Sequence, residues 1–156
     1  MFVSLLPASS ASAAYPFGDW DSLISGHTIN KCLEVADWSE GNGAAVRQWK
    51  CSGGANQKWQ GRAAPGDDPY TAPLYNQNSG KCLEIADWSR SDGAPARQWD
   101  CTGGANQKWV FTFSGSKMVM KNVHSQKCLE IAAWSEADGA PARQWTCTGG
   151  LNQAWF

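Results

Sequence analysis

Apolar and polar residues alternate through one stretch of this chain that occurs three times. The copies run over residues 32–59, 82–109 and 128–155, and each covers 28 positions without a gap. The second copy shares 20 of these positions with the first and 22 with the third. A repeat of this size is typical of a small unit that must pack on its siblings to bury its apolar side. We therefore expect three similar units and up to three similar functional sites.

Each copy begins with side chains that alternate with a period of two, which predicts a short β-strand. In the first copy Leu33 and Val35 face one side, and Cys32, Glu34 and Ala36 face the other. A turn rich in Gly, Asp, Asn and Ser follows, then a strand that leads to the second Cys, a Gly-Gly turn and a closing Asn-Gln-x-Trp. No segment has a sustained helical period, so we predict an all-β chain with about four short strands per unit.

Two segments outside the copies have a distinct composition. Residues 1–14 combine an apolar run with an Ala-Ser-Ala pattern and resemble the end of a secretory signal, although no basic residue precedes Lys31. Residues 61–73, rich in Pro and Asp, predict a surface loop. The remaining 142 residues or so would form one domain, with repeats at about 15–60, 61–110 and 111–156.

Composition and charge exclude several classes of function. The chain has a formal net charge of −1 and no basic run, which argues against a nucleic-acid partner. No apolar run approaches the 18 residues of a membrane-spanning helix, so we expect no membrane insertion. Phosphate loops, nucleophile triads and metal clusters are absent from the sequence. Each repeat carries one recurring acid where glycoside hydrolysis needs two, so we expect neither an enzyme nor a cofactor.

The six Cys occupy two fixed positions of the repeat, 19 residues apart. Six Cys allow 15 connectivities, and the repeat favours bridges within each copy: Cys32 with Cys51, Cys82 with Cys101, and Cys128 with Cys147. Six buried free thiols are the alternative. A zinc site is disfavoured because no Cys-x-x-Cys pair occurs and the chain has two His. Three disulfides would indicate an oxidising, extracellular compartment.

The motifs of the repeat resemble those of the ricin B-type lectin family. They are Cys-Leu-Glu-Val/Ile, the Gln-Trp pair before the second Cys, and a Gln-x-Trp at 57–59, 107–109 and 153–155. The resemblance covers nearly all of residues 20–156. It implies a β-trefoil of three homologous repeats with pseudo-threefold symmetry, which suits three units better than a propeller does. It also implies a secreted lectin or carbohydrate-binding module.

The resemblance further implies which residues bind sugar. In each copy these would be an acid two positions after the first Cys, an aromatic platform fifteen positions further on, an Arg two before that platform, and the closing Asn-Gln. By position they are Glu34, Arg47, Trp49, Asn56 and Gln57; Glu84, Arg97, Trp99, Asn106 and Gln107; and Glu130, Arg143, Trp145, Asn152 and Gln153. The family's usual acid is Asp, so the Glu found here alters the depth of the pocket.

These residue types suit a sugar on physical grounds. A carboxylate accepts from vicinal hydroxyls, an indole packs on the apolar face of a pyranose, and amide and guanidinium groups complete the hydrogen bonding. A structural alternative exists for each: the Glu could pair with Arg47 or with the preceding Lys, and the platform Trp could serve packing. The Trp of Gln-x-Trp is expected in the core.

Three further sets are less clear from sequence. Gln48, Gln98 and Gln144 stand where the family tends to have an inward apolar residue. Trp38 and its equivalents, Trp88 and Trp134, either fill the space that this leaves or widen the sugar platform, with a structural role favoured. His27 and His124 fall at non-equivalent positions in the sequence.

The sequence therefore predicts a secreted, monomeric, non-enzymatic lectin. Its ligand would be a galactose-type or related polysaccharide glycan, bound at up to three shallow sites. A protein-binding trefoil such as a protease inhibitor, acting through residues 61–73, is the alternative from another class. A detached accessory module of a glycosidase is a third.

Overall fold

The computed structural model describes residues 18–156, so the predicted signal segment 1–14 lies outside the described residues. The described part of the chain contains β-strands and single turns of 3-10 helix, with no α-helix. The strands are β1 Asp21–Ser22, β2 Lys31–Val35, β3 Val46–Lys50, β4 Lys58–Gly61, β5 Thr71–Asn76, β6 Cys82–Ile85, β7 Ala96–Trp99, β8 Lys108–Ser114, β9 Lys117–Asn122, β10 Cys128–Ile131 and β11 Ala142–Trp145. The 3-10 turns are Ala36–Trp38, Ala55–Gln57, Ala86–Trp88, Ala105–Gln107, Ala132–Trp134 and Leu151–Gln153. Within residues 18–156 no helix is long and apolar enough to cross a membrane.

Five of the strands form a ring of antiparallel pairs in the order β1, β4, β5, β8 and β9. Trp155 closes this ring by bridging to Met118 of β9 and to Ser25. The hairpins β2–β3, β6–β7 and β10–β11 contact one another in a triangle. The bridges between them are Ala45 with Arg97, Arg47 with Pro141, and Pro95 with Arg143. The arrangement is the all-β, pseudo-threefold architecture predicted from the repeats.

The Trp of each Gln-x-Trp lies in the core, as predicted. Trp59, Trp109 and Trp155 are fully buried. Each donates its indole N–H to a main-chain oxygen of the first hairpin strand of its repeat, at 2.9, 3.1 and 3.4 Å for Leu33, Leu83 and Leu129. A buried indole keeps a hydrogen-bond partner in this way, so the ring adds apolar area to the core without an unpaired donor.

Disulfides join the predicted pairs, Cys32–Cys51, Cys82–Cys101 and Cys128–Cys147. Each ties the first strand of a hairpin to the segment just beyond the second strand. A bridge across 19 residues stabilises the fold by about 3 kcal/mol in the chain-entropy account. The loop that carries the closing Asn-Gln is therefore held against the hairpin.

The side chains of Gln48, Gln98 and Gln144 connect neighbouring repeats. Gln48 is fully buried and donates from Nε2 to Ser135 O at 2.7 Å and Ala137 O at 2.9 Å, both in the third repeat. Gln98 clamps the first repeat and Gln144 the second in the same way. The position is polar because each side chain satisfies carbonyls of a neighbouring turn.

Two assignments made from the sequence are wrong. The loop predicted at 61–73 is shorter, because β4 ends at Gly61 and β5 already begins at Thr71. His27 and His124 are structurally equivalent. Ser25 pairs with the core residue Trp155 and lies two residues before His27. Asn122 pairs with the core residue Trp109 and lies two residues before His124. One extra residue between His27 and the first Cys hides this equivalence in the sequence.

Candidate functional site

Each repeat has a shallow cavity beside its hairpin, lined by the residues that the sequence singled out. The first has a volume of about 470 Å³, and those of the second and third repeats are about 210 Å³ each. The predicted site residues that line them are Glu34, Arg47, Trp49, Asn56 and Gln57; Glu84, Arg97, Trp99 and Asn106; and Glu130, Arg143, Trp145, Asn152 and Gln153. Gln107 contacts the second cavity's acid. The structure thus brings every predicted set together within its own repeat.

A buried carboxylate lies at the floor of the first cavity. Glu34 stands opposite Arg47 in the β2–β3 register and is 4% exposed. Its Oε1 accepts from Arg47 Nε at 2.9 Å, and its Oε2 accepts from Asn56 Nδ2 at 3.3 Å and Gln57 Nε2 at 3.0 Å. The Glu–Arg ion pair that sequence offered as a structural alternative is therefore present. It fixes the carboxylate in one orientation at the cavity floor.

Arg47 also covers one face of the predicted platform. Its guanidinium carbon lies 4.4 Å from the centroid of the Trp49 ring, which is typical of a cation–π contact. Its Nη2 lies 3.3 Å from Oδ1 of Asp37, a mostly exposed side chain at the rim. Trp49 is 39% exposed, and its Cζ3 lies 3.6 Å from the position that a Cβ on Gly139 of the third repeat would occupy. The platform is thus supported from both repeats.

The amide pair connects the floor to the loop after β3. Gln57 Nε2 donates to Lys50 O at 3.0 Å, and its Oε1 accepts from Ser52 N at 2.8 Å. Asn56 Nδ2 donates to Val35 O at 3.2 Å, while its buried Oδ1 has no protein partner. The equivalent oxygens of Asn106 and Asn152 are also unpaired. Each repeat therefore places a buried, unpaired amide oxygen next to its carboxylate.

The second repeat copies this geometry, and the third departs from it. Arg97 Nε lies 2.9 Å from Glu84 Oε1 and Nη2 lies 3.4 Å from Asp87. In the third repeat Ala133 replaces the Asp, and Arg143 Nε lies 3.8 Å from Glu130 Oε1, so that neither atom has a hydrogen-bond partner. Asn152 Nδ2 donates to Glu130 Oε2 at 2.7 Å.

This weaker pairing is reflected in the ionisation of Glu130. Burial raises the pKa of the Glu130 carboxyl, and the attraction of Arg143 and the hydrogen bond from Asn152 only partly oppose that effect. A carboxylate out of water is destabilised unless it is well paired. The third cavity therefore holds its acid less firmly in the charged form than an ordinary carboxyl.

A second indole, for which the sequence favoured a structural role and left a wider sugar platform as the alternative, borders each cavity. Trp38, Trp88 and Trp134 are 54%, 51% and 54% exposed and line the three cavities. Each ring packs over the Gly-Gly turn of its own repeat, at Gly54, Gly104 or Gly150. The signal that could have found them is a Trp recurring inside a turn cluster of small and polar residues, where no core is expected.

The described residues hold no group of three or more His, Cys, Asp and Glu that could bind a metal ion. The polar atoms of the cavities are instead carboxylate, guanidinium and amide groups, which suit a ligand with many hydroxyls.

A sequence profile described as "Ricin-type beta-trefoil lectin domain-like" matches residues 19–99, 62–145 and 105–156, which together cover most of the chain. The chain belongs to this family. The predicted family and fold, a ricin-type β-trefoil, are confirmed.

Solved structures agree with this assignment. The designed threefold-symmetric protein ThreeFoil has 36% identity and a TM-score of 0.81, with 87% of this chain and 95% of that chain covered. An exo-β-1,3-galactanase from Clostridium thermocellum has 32% identity and a TM-score of 0.82, with 90% and 30% covered. The Rhizoctonia solani agglutinin, at 18% identity and a TM-score of 0.78, covers 90% and 93% and shares the trefoil fold.

One curated relative matches over a short segment. Serine protease 1 of Rarobacter faecitabidus is 54% identical over 37 residues, which are 24% of this chain and 7% of that protein. The trefoil sequence is thus similar to a small part of a much longer protein.

Proposed function

We propose that this ricin-type trefoil is a secreted, non-catalytic lectin whose three cavities bind carbohydrate, with galactose-type glycans as the first class to test. The observation that carries the proposal is the threefold recurrence of one constellation. Each copy places a buried carboxylate, a guanidinium fork, two amides and a partly exposed indole around one shallow cavity.

The chemistry of the first cavity fits a pyranose. Glu34 is already oriented by three donors, and an ionised acceptor makes the stronger kind of hydrogen bond to a sugar hydroxyl. The exposed part of Trp49 offers an apolar surface for sugar C–H groups. Preorganised groups lose little conformational entropy when a ligand binds.

The family and its neighbours support a carbohydrate-binding module. Two of the similar structures are described as an agglutinin and an exo-β-1,3-galactanase. The second description makes β-1,3-linked galactose oligosaccharides the first probes for this chain. Three disulfides support an extracellular location, because such bonds persist in oxidising compartments.

Each cavity is shallow, so a single site should bind weakly. Three sites on one rigid body gain in apparent affinity on a polymer or a glycan-coated surface, because the second contact becomes intramolecular. We therefore expect stronger retention on polysaccharide than on free sugar.

The test is a glycan array with the oxidised protein, followed by calorimetry with β-1,3-galactobiose and galactotriose. A variant with Trp49, Trp99 and Trp145 changed to Ala should lose binding, with its fold checked by circular dichroism. Tyr70→Ala is the matched control, since it removes an exposed aromatic ring outside the three cavities.

Silence of the folded protein across a broad array would contradict the lectin proposal. The alternative, a protein-binding trefoil acting through the segment between β4 and β5, would then be tested against serine and cysteine proteases.

A further inference from the structure

We propose that Trp38, Trp88 and Trp134 form a second sugar-stacking wall in each cavity, and that the ligand is a chain of at least two sugar units. This inference rests on the proposed carbohydrate function and adds to it the length of the ligand. The wall is called the turn Trp below, and the set of Trp49, Trp99 and Trp145 is called the strand Trp.

The two indoles of one cavity are held at different places. Trp49 lies on β3 and packs at the border with Gly139 of the third repeat. Trp38 lies over the Gly-Gly turn of its own repeat, where a Cβ on Gly54 would come within 2.6 Å of its ring. The ring therefore requires glycine at that position, and the same close approach recurs at Gly104 with Trp88 and at Gly150 with Trp134.

A polar floor separates the two rings. A chain of contacts connects Trp49 to Arg47 at 4.4 Å, Arg47 to Glu34 at 2.9 Å and Glu34 to Asn56 at 3.3 Å. Asn56 Oδ1 lies beside Gly54, which Trp38 covers. Two apolar surfaces with hydrogen-bonding groups between them match two sugar rings joined through an oxygen, with a ring on each indole and hydroxyls facing the floor.

The turn Trp is also the more accessible of the two indoles. Arg47 covers part of the Trp49 ring, whereas more than half of Trp38 is exposed. Exposed single apolar residues are common, but a large aromatic ring at the rim of a recurrent cavity is a typical ligand contact.

The backbone under the turn Trp is strained. Ser39 N donates to Ala36 O at 3.1 Å across Asp37 and Trp38, whose φ angles are 56° and 54°. A turn with both central residues at positive φ strongly prefers Asn-Gly or Gly, and a bulky side chain there is unfavourable. Such strain costs on the order of 1–3 kcal/mol per residue and accumulates at functional sites. About half of each turn Trp remains exposed, so burial of the ring against the protein is incomplete.

Side chains from the next repeat brace the turn. Asn78 Nδ2 donates to Trp38 O at 3.2 Å, and His124 Nε2 lies 3.0 Å from Trp88 O. The His124 ring meets Trp88 edge-on at 4.9 Å between centroids, and His27 meets Trp134 at 5.8 Å. The indole is thus positioned in advance of any ligand.

The experiment measures affinity against ligand length by calorimetry with galactose, β-1,3-galactobiose and β-1,3-galactotriose. The turn Trp are changed together to Gly, which suits the positive φ and should preserve the fold. We expect the native protein to bind the longer probes more tightly than galactose. The Gly variant should keep its galactose affinity within about twofold and lose about two- to tenfold of affinity for galactotriose, the worth of one aromatic stacking contact.

A matching variant with Tyr at the three turn positions should recover most of the gain with length, because it restores an aromatic face. A gain with length that survives in the Gly variant, or a native protein without any such gain, would overturn the second wall and leave the lectin proposal standing. Absence of binding to all three probes and to the array would overturn both. If the Gly variant loses affinity for galactose and for galactotriose by the same factor, the second wall is also overturned, since the turn Trp would then act on a single sugar unit.

Discussion

The sites of the first and third repeats contain the same acid, guanidinium, amides and indoles, yet they differ in how the acid is held. Glu34 accepts from Arg47, Asn56 and Gln57. Glu130 accepts a short hydrogen bond from Asn152, and its Oε1 lies 3.8 Å from the Arg143 Nε.

The residue that distinguishes them lies at the rim. Asp37 of the first repeat contacts the far end of its Arg, and Ala133 of the third cannot. The repeat that has the exposed Asp37 carboxylate thus also has the shorter Glu–Arg distance, 2.9 Å between Glu34 and Arg47, and its site carries one more negative charge. Near-identity of the repeats therefore places the same types of side chain in three sites without making their electrostatics equal.

The largest expected effect tests whether the disulfides beneath the first and third sites stabilise the fold equally. Replacing Cys32 and Cys51 together by Ala should lower the free energy of unfolding by about 3 kcal/mol, because the bridge closes a loop of 19 residues. Replacing Cys128 and Cys147 should cost the same within about 1 kcal/mol. Denaturant unfolding measures both. A third-repeat loss several times larger would show that the frames differ, and the comparison of the sites would fail.

The next effect tests the acid itself. Glu34→Ala leaves Arg47 Nε without an acceptor and removes one hydrogen bond from each of the Asn56 and Gln57 amides. We therefore expect a loss of about 2–3 kcal/mol in the free energy of unfolding. Glu130→Ala removes one hydrogen bond and should cost about 1–2 kcal/mol. Glu40→Ala, at an exposed position, is the control. Equal losses from the two site acids would contradict the difference seen between the repeats.

The raised pKa of Glu130 predicts a pH dependence. A folded pKa above the ordinary value means that the folded protein binds this proton more tightly than the unfolded chain does. The free energy of unfolding should therefore fall as pH rises through the raised pKa, and Glu130→Gln should remove that part of the dependence. The variant should gain stability relative to the native protein as pH rises across this range. Glu136→Gln, at an exposed carboxyl of the same repeat, is the control, and parallel pH profiles for the native protein and Glu130→Gln would refute the assignment.

The smallest effect exchanges the residue at the rim. Asp37→Ala should lower the free energy of unfolding by up to about 1 kcal/mol, since it removes an exposed ion pair. Asp also tolerates a positive φ better than Ala does. Ala133→Asp should raise stability by a similar amount and close the gap between Arg143 and Glu130 in a crystal structure. A gap that stays open in Ala133→Asp would mean that the rim residue does not orient the Arg.

Much of the frame could be predicted from the sequence, because its determinants recur locally. Equal spacing from the Cys pair predicted the disulfides, and the closing Gln-x-Trp predicted Trp59 and its equivalents in the core. The period of two placed Arg47 and Trp49 on one side of β3, where the guanidinium indeed lies over the indole.

Contacts between repeats could not be predicted in the same way. Gln48 meets carbonyls 87 and 89 residues further along the chain, and no local pattern encodes that distance. The sequence does not show that His27 and His124 are equivalent, because one extra residue separates His27 from the first Cys of its repeat. In the fold the two side chains occupy equivalent positions. The exposure of Trp38 depends on a left-handed turn that few non-glycine sequences adopt.

The most direct test of the lectin account is a titration of the indole N–H signals by NMR with β-1,3-galactotriose, assigned through single Trp→Phe variants. The core indoles of Trp59, Trp109 and Trp155 are buried and hydrogen-bonded, so they serve as internal controls. We predict that the signals of Trp49, Trp99 and Trp145 shift in a saturable manner while the core signals stay in place. Unchanged cavity signals at saturating ligand, or shifts confined to indoles outside the cavities, would contradict carbohydrate binding at these sites.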